Sequence, residues 1–188
     1  MPSVAYLDQI QLPPSFSLRP IEPQDNAAIA QVIRDVSKEW GLSSDQGFSA
    51  ADPDLDQLYE VYQRPNSRYW VLLENDLVVG GAGIAPLAGA PTIIELQKMY
   101  FRPQARGRGI ANILANLCFI QAHEWQFEQC YLETTASLTT AMTLYQSLGF
   151  SQLGAPLGNT GHCACEIAMI RPVRSLESAH LRSRTAQD

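Results

Sequence analysis

A chain of 188 residues with a net charge of −6, 46% hydrophobic and 17% charged, suits one folded domain long enough to bury a core. The acidic balance excludes a general nucleic-acid binder, which needs a broad basic surface, and no apolar run approaches membrane-spanning length. Met1-Pro2-Ser3-Val4 lacks the basic start and apolar core of a secretion signal, so a cytoplasmic location is expected, with neither nucleic acid nor membrane as partner.

Residues 1–15 hold three prolines and little periodicity, and read as an extended arm. Phe16 to Arg19 reads as a first strand, closed by Pro20 and Pro23. Asp25 stands as an N-cap for a helix Asn26–Trp40, in which Ala28, Ile29, Val32, Ile33, Val36 and Trp40 keep helical spacing until Gly41 stops it. A polar stretch, 42–51, surrounds Phe48. Asp52-Pro53 is then expected to open a second helix through Leu55, Leu58, Tyr59 and Tyr62 to about Arg64. Tyr69 to Leu73 and Leu77 to Ala85 read as strands joined by Glu74-Asn75-Asp76, and Gly80, Gly81 and Gly83 imply a bulge or a close approach in the second.

After a loop from Pro86 to Pro91, the stretch Thr92–Trp125 reads as a buried strand (Ile93, Ile94, Leu96, Met99, Tyr100, Phe101), a break at Arg102-Pro103, a loop 104–109 and an amphipathic helix. Two glycines one residue apart let the backbone come close to a ligand, and a helix opening directly after them aims free N–H groups at it. Anions bind there. Lys98, Arg102, Arg106 and Arg108 share this neighbourhood with no acid among them, which points to a phosphate-bearing ligand. The loop lacks GxxxxGK[ST] spacing, and Asn112 breaks GxGxxG. Further on, Cys130 to Thr134 reads as a strand, Leu138 to Leu148 as a helix, Phe150 to Leu153 and Cys163 to Ile170 as strands around a loop 154–161, and the chain from Arg171 as a polar tail. Cys118, Cys130, Cys163 and Cys165 read as reduced, packed thiols; His162-Cys163-x-Cys165 lacks the spaced partners of a zinc site, so no metal is expected.

Two segments carry a resemblance. Gln104-Ala105-Arg106-Gly107-Arg108-Gly109-Ile110-Ala111 resembles the Q/R-x-x-G-x-G/A pyrophosphate loop of the GCN5-related N-acetyltransferases. Thr139 to Phe150, with Ala141, Leu144-Tyr145 and Leu148-Gly149-Phe150, resembles that family's A-x-x-LY-x-x-LGF helix. The interleaving of strand and helix signals favours α/β or α+β layering by itself; the resemblance implies, over residues 16–170, a mixed, mostly antiparallel twisted sheet of about seven strands with about four flanking helices. It implies acetyl-CoA as cosubstrate and an amine-bearing acceptor, small molecule or peptide, and it leaves a homodimer open.

By the same resemblance, residues 104–111 cradle the cofactor diphosphate and a backbone N–H within Met99-Tyr100-Phe101 meets the developing oxyanion. Leu138 stands where many relatives carry an asparagine, so that cofactor contact is either missing or passed to Thr139 or Thr140. Tyr145 is expected beside the thioester sulfur as proton donor to the departing thiolate. Glu95, on the face of Ile93, Gln97 and Met99, matches the carboxylate that some members use as base, with Glu133 or water as alternatives. The segment between the first two helices borders the acceptor site, which makes Phe48, Asp45, Asp52, Asp54 and Asp56 candidates, and His162 precedes the last strand in a region that can line the acceptor pocket. The rival reading is a sensor module that holds the CoA without turnover.

Overall fold

In the computed structural model residues 10–42, 49–158 and 165–173 are described. Asp45, Phe48, His162, Cys163 and most of the expected tail lie outside them. The strands are β1 (Phe16–Pro20), β2 (Arg68–Glu74), β3 (Leu77–Leu87), β4 (Ala90–Phe101), β5 (Gln129–Thr134), β6 (Ser151–Gln152) and β7 (Ile167–Pro172); the helices are α1 (Asn26–Glu39), α2 (Leu58–Val61), α3 (Ile110–Glu124) and α4 (Thr139–Ser147). They form one sheet ordered β1-β2-β3-β4-β5-β7-β6, antiparallel throughout except for the parallel pair β4 and β5. No helix among the described residues is long and apolar enough to cross a membrane.

Strand alternation divides the core into two layers. Tyr69, Val71 and Leu73 of β2 face α1 and α2, packing against Ile29, Val32, Ile33, Leu55 and Leu58. Trp70, with Ala82, Ile84, Ile94 and Leu96, faces α3 through Leu114, Leu117 and Cys118, and the same cluster takes in Tyr145, Leu148 and Phe150. Leu72 joins Val79, Ala105 and Ile110 under the start of α3.

The local signals act with some reassignment. Gly41, at φ +69°, ends α1, and the Leu42 N–H reaches back to the Ser37 carbonyl at 2.8 Å. Asp25 does not cap α1 with its side chain; it is buried, takes a two-pronged ion pair from Arg19 at 2.6 and 2.9 Å, and accepts the Glu22 N–H. The helix expected from Asp52 to Arg64 is replaced by a 3-10 turn at Leu55–Gln57 and the short α2. Asp52 pairs with Lys98 of β4, and the Tyr59 N–H in the first turn of α2 is accepted by Asn26 Oδ1 at 2.8 Å. β7 starts at Ile167 and runs to Pro172, later at both ends than its sequence signal. Cys165 accordingly precedes the strand and does not lie within it; Cys118 and Cys130 are buried free thiols, as expected.

The glycines of β3 answer to both expectations. Val79 is an extra residue against β2, between the pairs Leu72↔Gly80 and Leu73↔Val78. A side chain at Gly81 or Gly83 would lie 2.5 or 2.6 Å from the Tyr69 ring, so these two positions make room for tyrosines packed under the sheet.

Candidate active site

The site is built where β4 leaves β5. The two strands pair through Ile94↔Cys130 and Glu95↔Tyr131, and beyond Glu95 they splay. On its other side β4 stays paired to β3, but between Gly83↔Gln97 and Gly81↔Tyr100 it carries an extra residue, with Lys98 at φ +49°. The bulge is pinned from below: Tyr69 donates its hydroxyl to the Lys98 carbonyl at 2.9 Å, and the Lys98 ammonium, its side chain only 8% exposed, is paired with Asp52.

This bulge shifts the alternation of the strand. Glu95, Gln97 and Tyr100 pair with Ala85, Gly83 and Gly81, which share a face. Met99, expected on the face of Glu95, instead packs with Phe101 against the α3 layer, while Tyr100 joins the α1 and α2 layer. A one-residue insertion of this kind is invisible to a period-two reading.

The splay opens a cavity of about 380 Å³. One arm is β4 from Glu95 to Phe101; the other is the end of β5, Glu133 to Thr135, continued by Leu138, Thr140 and Tyr145. Its floor is the loop between β4 and α3, with Ala105, Arg106, Gly107, Gly109, Ile110 and Ala111, and α1 closes one side with Val36 and Trp40. The fold thus assembles Glu95, Met99, Tyr100, Phe101, Thr140, Tyr145 and most of residues 105–111 around one space. Gln104, Arg108 and Thr139 fall outside its lining: all three are exposed, the Gln104 carbonyl accepts Arg108 Nε, and the Thr139 carbonyl accepts the Thr143 hydroxyl.

The loop has the shape of an anion cradle. Gly107 and Gly109 sit at φ +69° and +75°, and a side-chain carbon at either would meet no protein atom within 4 Å. The glycines are therefore demanded by backbone conformation and not by packing, and the space beside them is open. Gly109 is the N-cap of α3, no side-chain bond caps that helix, and Gly109, Ile110 and Ala111 line the cavity.

The cationic cluster is a different matter from the sequence expectation. Three of its four members are neutralised by acids from elsewhere in the fold: Lys98 by Asp52, Arg102 by Asp35 at 2.8 Å, and Arg106 by Glu39 at 2.6 Å. Arg106 also lies over the Trp40 ring, 5.7 Å from its centre. The end of α1 thereby grips the loop. Asp35 and Glu39 are held below the ordinary carboxylate range, Asp35 chiefly by the Gln31 amide and then Arg102, Glu39 by the Arg106 guanidinium. Arg108 stacks over Phe16 at 5.6 Å. Of the acids proposed for the acceptor side, Asp56 is paired with Arg34 at 2.5 Å on the surface, and neither it nor Asp54 lines the cavity.

Tyr145 projects from α4 into the splay, 9% exposed, with its ring 5.9 Å from Phe150. The LGF segment explains this placement. Gly149 turns the chain at φ +87°, and the Phe150 N–H bonds the Tyr145 carbonyl at 3.0 Å, which closes the helix and returns Phe150 under the tyrosine ring. Burial, with Tyr100 and Cys165 nearby, pushes the Tyr145 phenol well above its ordinary value of 10, so it is a donor at neutral pH. Glu95 is 4% exposed and accepts the Gln97 amide at 2.6 Å; Gln97 in turn accepts the Tyr62 hydroxyl at 2.8 Å. Glu133 accepts the Tyr131 hydroxyl at 2.7 Å. The sequence does not single out Tyr62 or Cys165 as site residues and offers Lys98 only as one of four clustered cations; the spacing of Gln97 two residues after Glu95 is the one usable signal, since it places both on one strand face.

The chain is similar to known acetyltransferases in sequence and in fold. YjgM, an uncharacterised N-acetyltransferase of Escherichia coli (strain K12), is 52% identical over 160 residues, which cover 85% of this chain and 96% of that protein. An acetyltransferase of the GNAT family from Staphylococcus aureus Mu50 superposes with a TM-score of 0.75 at 17% identity, over 85% of this chain and 99% of that one. The yncA acetyltransferase of Salmonella typhimurium, solved with its cofactor acetyl-CoA, superposes with a TM-score of 0.64 at 18% identity, over 85% and 95% of the two chains. A model of the acetyltransferase (GNAT) family matches residues 31–150, and the chain belongs to that family.

Proposed function

We propose that the protein transfers an acetyl group from acetyl-CoA directly to a primary amine. The observation that carries this reading is one cavity lined by three things: the glycine cradle at Gly107 and Gly109, the splayed edge of β4, and Tyr145. The cradle fits a diphosphate, because both glycines leave open the space that side chains would fill and the helix behind them is uncapped. Backbone N–H groups of residues 105–111 hold the diphosphate in this reading, with Thr140 on the opposite wall.

The chemistry then falls to this chain's own groups. A backbone N–H of the Met99-Tyr100-Phe101 stretch, fixed by the bulge before reaction, meets the negative charge that grows on the thioester oxygen. An amine with a pKa near 10 arrives protonated, so Glu95 accepts its proton, directly or through a water. The nitrogen bonds to the acetyl carbon, the carbon–sulfur bond breaks, and Tyr145 supplies the hydrogen bond and proton that the departing thiolate needs. A phenol raised by burial is well placed for this, since it is fully protonated where a thiolate with a pKa near 8.5 leaves.

The purified protein, given acetyl-CoA and a panel of primary amines, should release free thiol well above spontaneous hydrolysis with at least one of them. Tight CoA binding without acceptor-dependent thiol release across small amines, amino acids and peptides would instead favour a sensor module of the same fold.

A further inference from the structure

The cavity holds an unusual element, a half-buried side-chain amide between a phenol and a carboxylate. An amide offers one acceptor oxygen and two donor hydrogens, so the Gln97 side chain can lie in two ways between Tyr62 and Glu95. As found, Tyr62 donates to Gln97 Oε1 at 2.8 Å and Gln97 Nε2 donates to Glu95 Oε2 at 2.6 Å. That arrangement suits an ionised carboxylate, which only accepts. Turned over, the amide would put its oxygen against Glu95, which would then have to carry the proton, and Tyr62 would become the acceptor.

The proton on Glu95 and the turn of one amide are therefore linked. Resting on the role proposed above for Glu95, we infer that Tyr62 and Gln97 are positioning residues that keep Glu95 ionised and ready to accept a proton from the acceptor amine. Three features hold the phenol in place for this. Its ring packs 5.1 Å from that of Tyr69, Gly83 leaves the space it occupies (a side chain there would come 2.7 Å from the Tyr62 ring), and α2 is anchored through Asn26 and Tyr59.

The charged and titratable groups around Glu95 come from each element packed on it. From α2 comes Tyr62, whose phenol is kept protonated by burial, then by Tyr69 and Glu95, and is thus a donor. From β5 come Cys130, its thiol pushed up to about 12 by burial, and Tyr131, whose hydroxyl is given to Glu133. On β4 itself Lys98 is paired with Asp52. Among these groups the Gln97 amide gives Glu95 a donor at 2.6 Å.

Two variants test the inference, Tyr62→Phe, which keeps the ring, and Gln97→Met, which keeps the volume and removes the amide. In each, the Glu95 carboxyl is followed by carbon-13 NMR against pH, assigned by the signal missing from Glu95→Gln, and kcat/KM is measured against pH with the best acceptor. A hydrogen bond given to the charged form lowers a carboxyl pKa, so the Glu95 titration should rise by about 0.5–1 unit in Tyr62→Phe and by about 1–2 units in Gln97→Met. The acid limb of kcat/KM should rise with it. Titrations that stay within about 0.2 unit of the wild type in both folded variants would overturn the inference. A titration that moves while the acid limb of every variant, Glu95→Gln included, stays put would uphold the control of Glu95 ionisation and remove Glu95 from the role of base.

Discussion

The two edges of β4 are made of the same strand and serve opposite ends. Toward β3 the ladder runs from Gly80↔Phe101 to Leu87↔Ala90, interrupted by the bulge at Lys98 and by a second register shift between Pro86 and Leu87, and the side chains near it are core. Toward β5 it closes after Ile94↔Cys130 and Glu95↔Tyr131, and the remaining length lines a cavity. Backbone that is paired stabilises the fold, and backbone that is left unpaired at a splay is available to a substrate. Stability and chemistry are here separated by the edge of a strand and not by region of sequence: consecutive residues from 95 to 101 contribute to both.

The sharpest break should come on the paired edge. In Gly83→Val the new side chain collides with the Tyr69 and Tyr62 rings at 2.6 and 2.7 Å, in a layer with no room to yield. Overpacking of this kind costs about 3 kcal/mol, which urea unfolding will register as a large drop in midpoint or as failure to fold. A loss below about 1 kcal/mol would mean that the tyrosines under the bulge are free to move.

On the open edge a glycine should behave in the opposite way. Gly109→Val meets no atom within 4 Å, so the protein should fold, at a backbone cost of about 1–3 kcal/mol for a β-branched residue at φ +75°. Its affinity for CoA should fall about a hundredfold, as the loss of charge-assisted hydrogen bonds to a diphosphate would give. Calorimetry finding unchanged CoA affinity in the folded variant would remove the loop from the binding site.

Tyr145→Phe comes next. The ring contacts with Phe150 remain and only the hydroxyl goes, so stability and CoA affinity should hold while kcat drops at least about tenfold. Because burial raises the phenol, the wild-type enzyme should stay active beyond the ordinary tyrosine value of 10, and a high-pH limb that reports the phenol should shift in the variant. Unchanged kcat would return Tyr145 to the core and leave solvent as the proton source.

The smallest effect belongs to the grip of α1 on the loop. In the proposed binding mode Glu39 would compete with the diphosphate for Arg106, so Glu39→Gln should tighten CoA binding by up to about threefold, the scale of an exposed ion pair, and the gain should fade in high salt. The Glu39 carboxyl is held below its ordinary 4.5 by Arg106. The pair is therefore intact above that value and lost as pH falls through the lowered one, and wild type and variant should converge in acid. Weaker binding in the variant would show instead that Glu39 orients Arg106 for the ligand.

Part of this was legible in the residues alone, for physical reasons that can be named. α1 and α3 follow from apolar spacing, the end of α1 from Gly41, and the cradle from Gly107 and Gly109, because each depends on interactions within a few residues of itself. The same holds for the turn after Tyr145, where Gly149 and Phe150 close a helix by local hydrogen bonds. What the chain could not disclose by itself are the contacts between distant segments. Asp52 carries a sound local capping signal, yet it is taken by Lys98, 46 positions away, and the helix it should have opened breaks into turns. Arg102 and Arg106 look like unspent cations until α1 brings Asp35 and Glu39, each 67 positions away, onto them. The bulge at Lys98 depends on a tyrosine from β2, and with it the shift that puts Tyr100 in place of Met99 on the face of Glu95. Local propensity sets elements within a few residues, whereas the competition among donors, acceptors and charges is decided only when the sheet has brought all of them within reach.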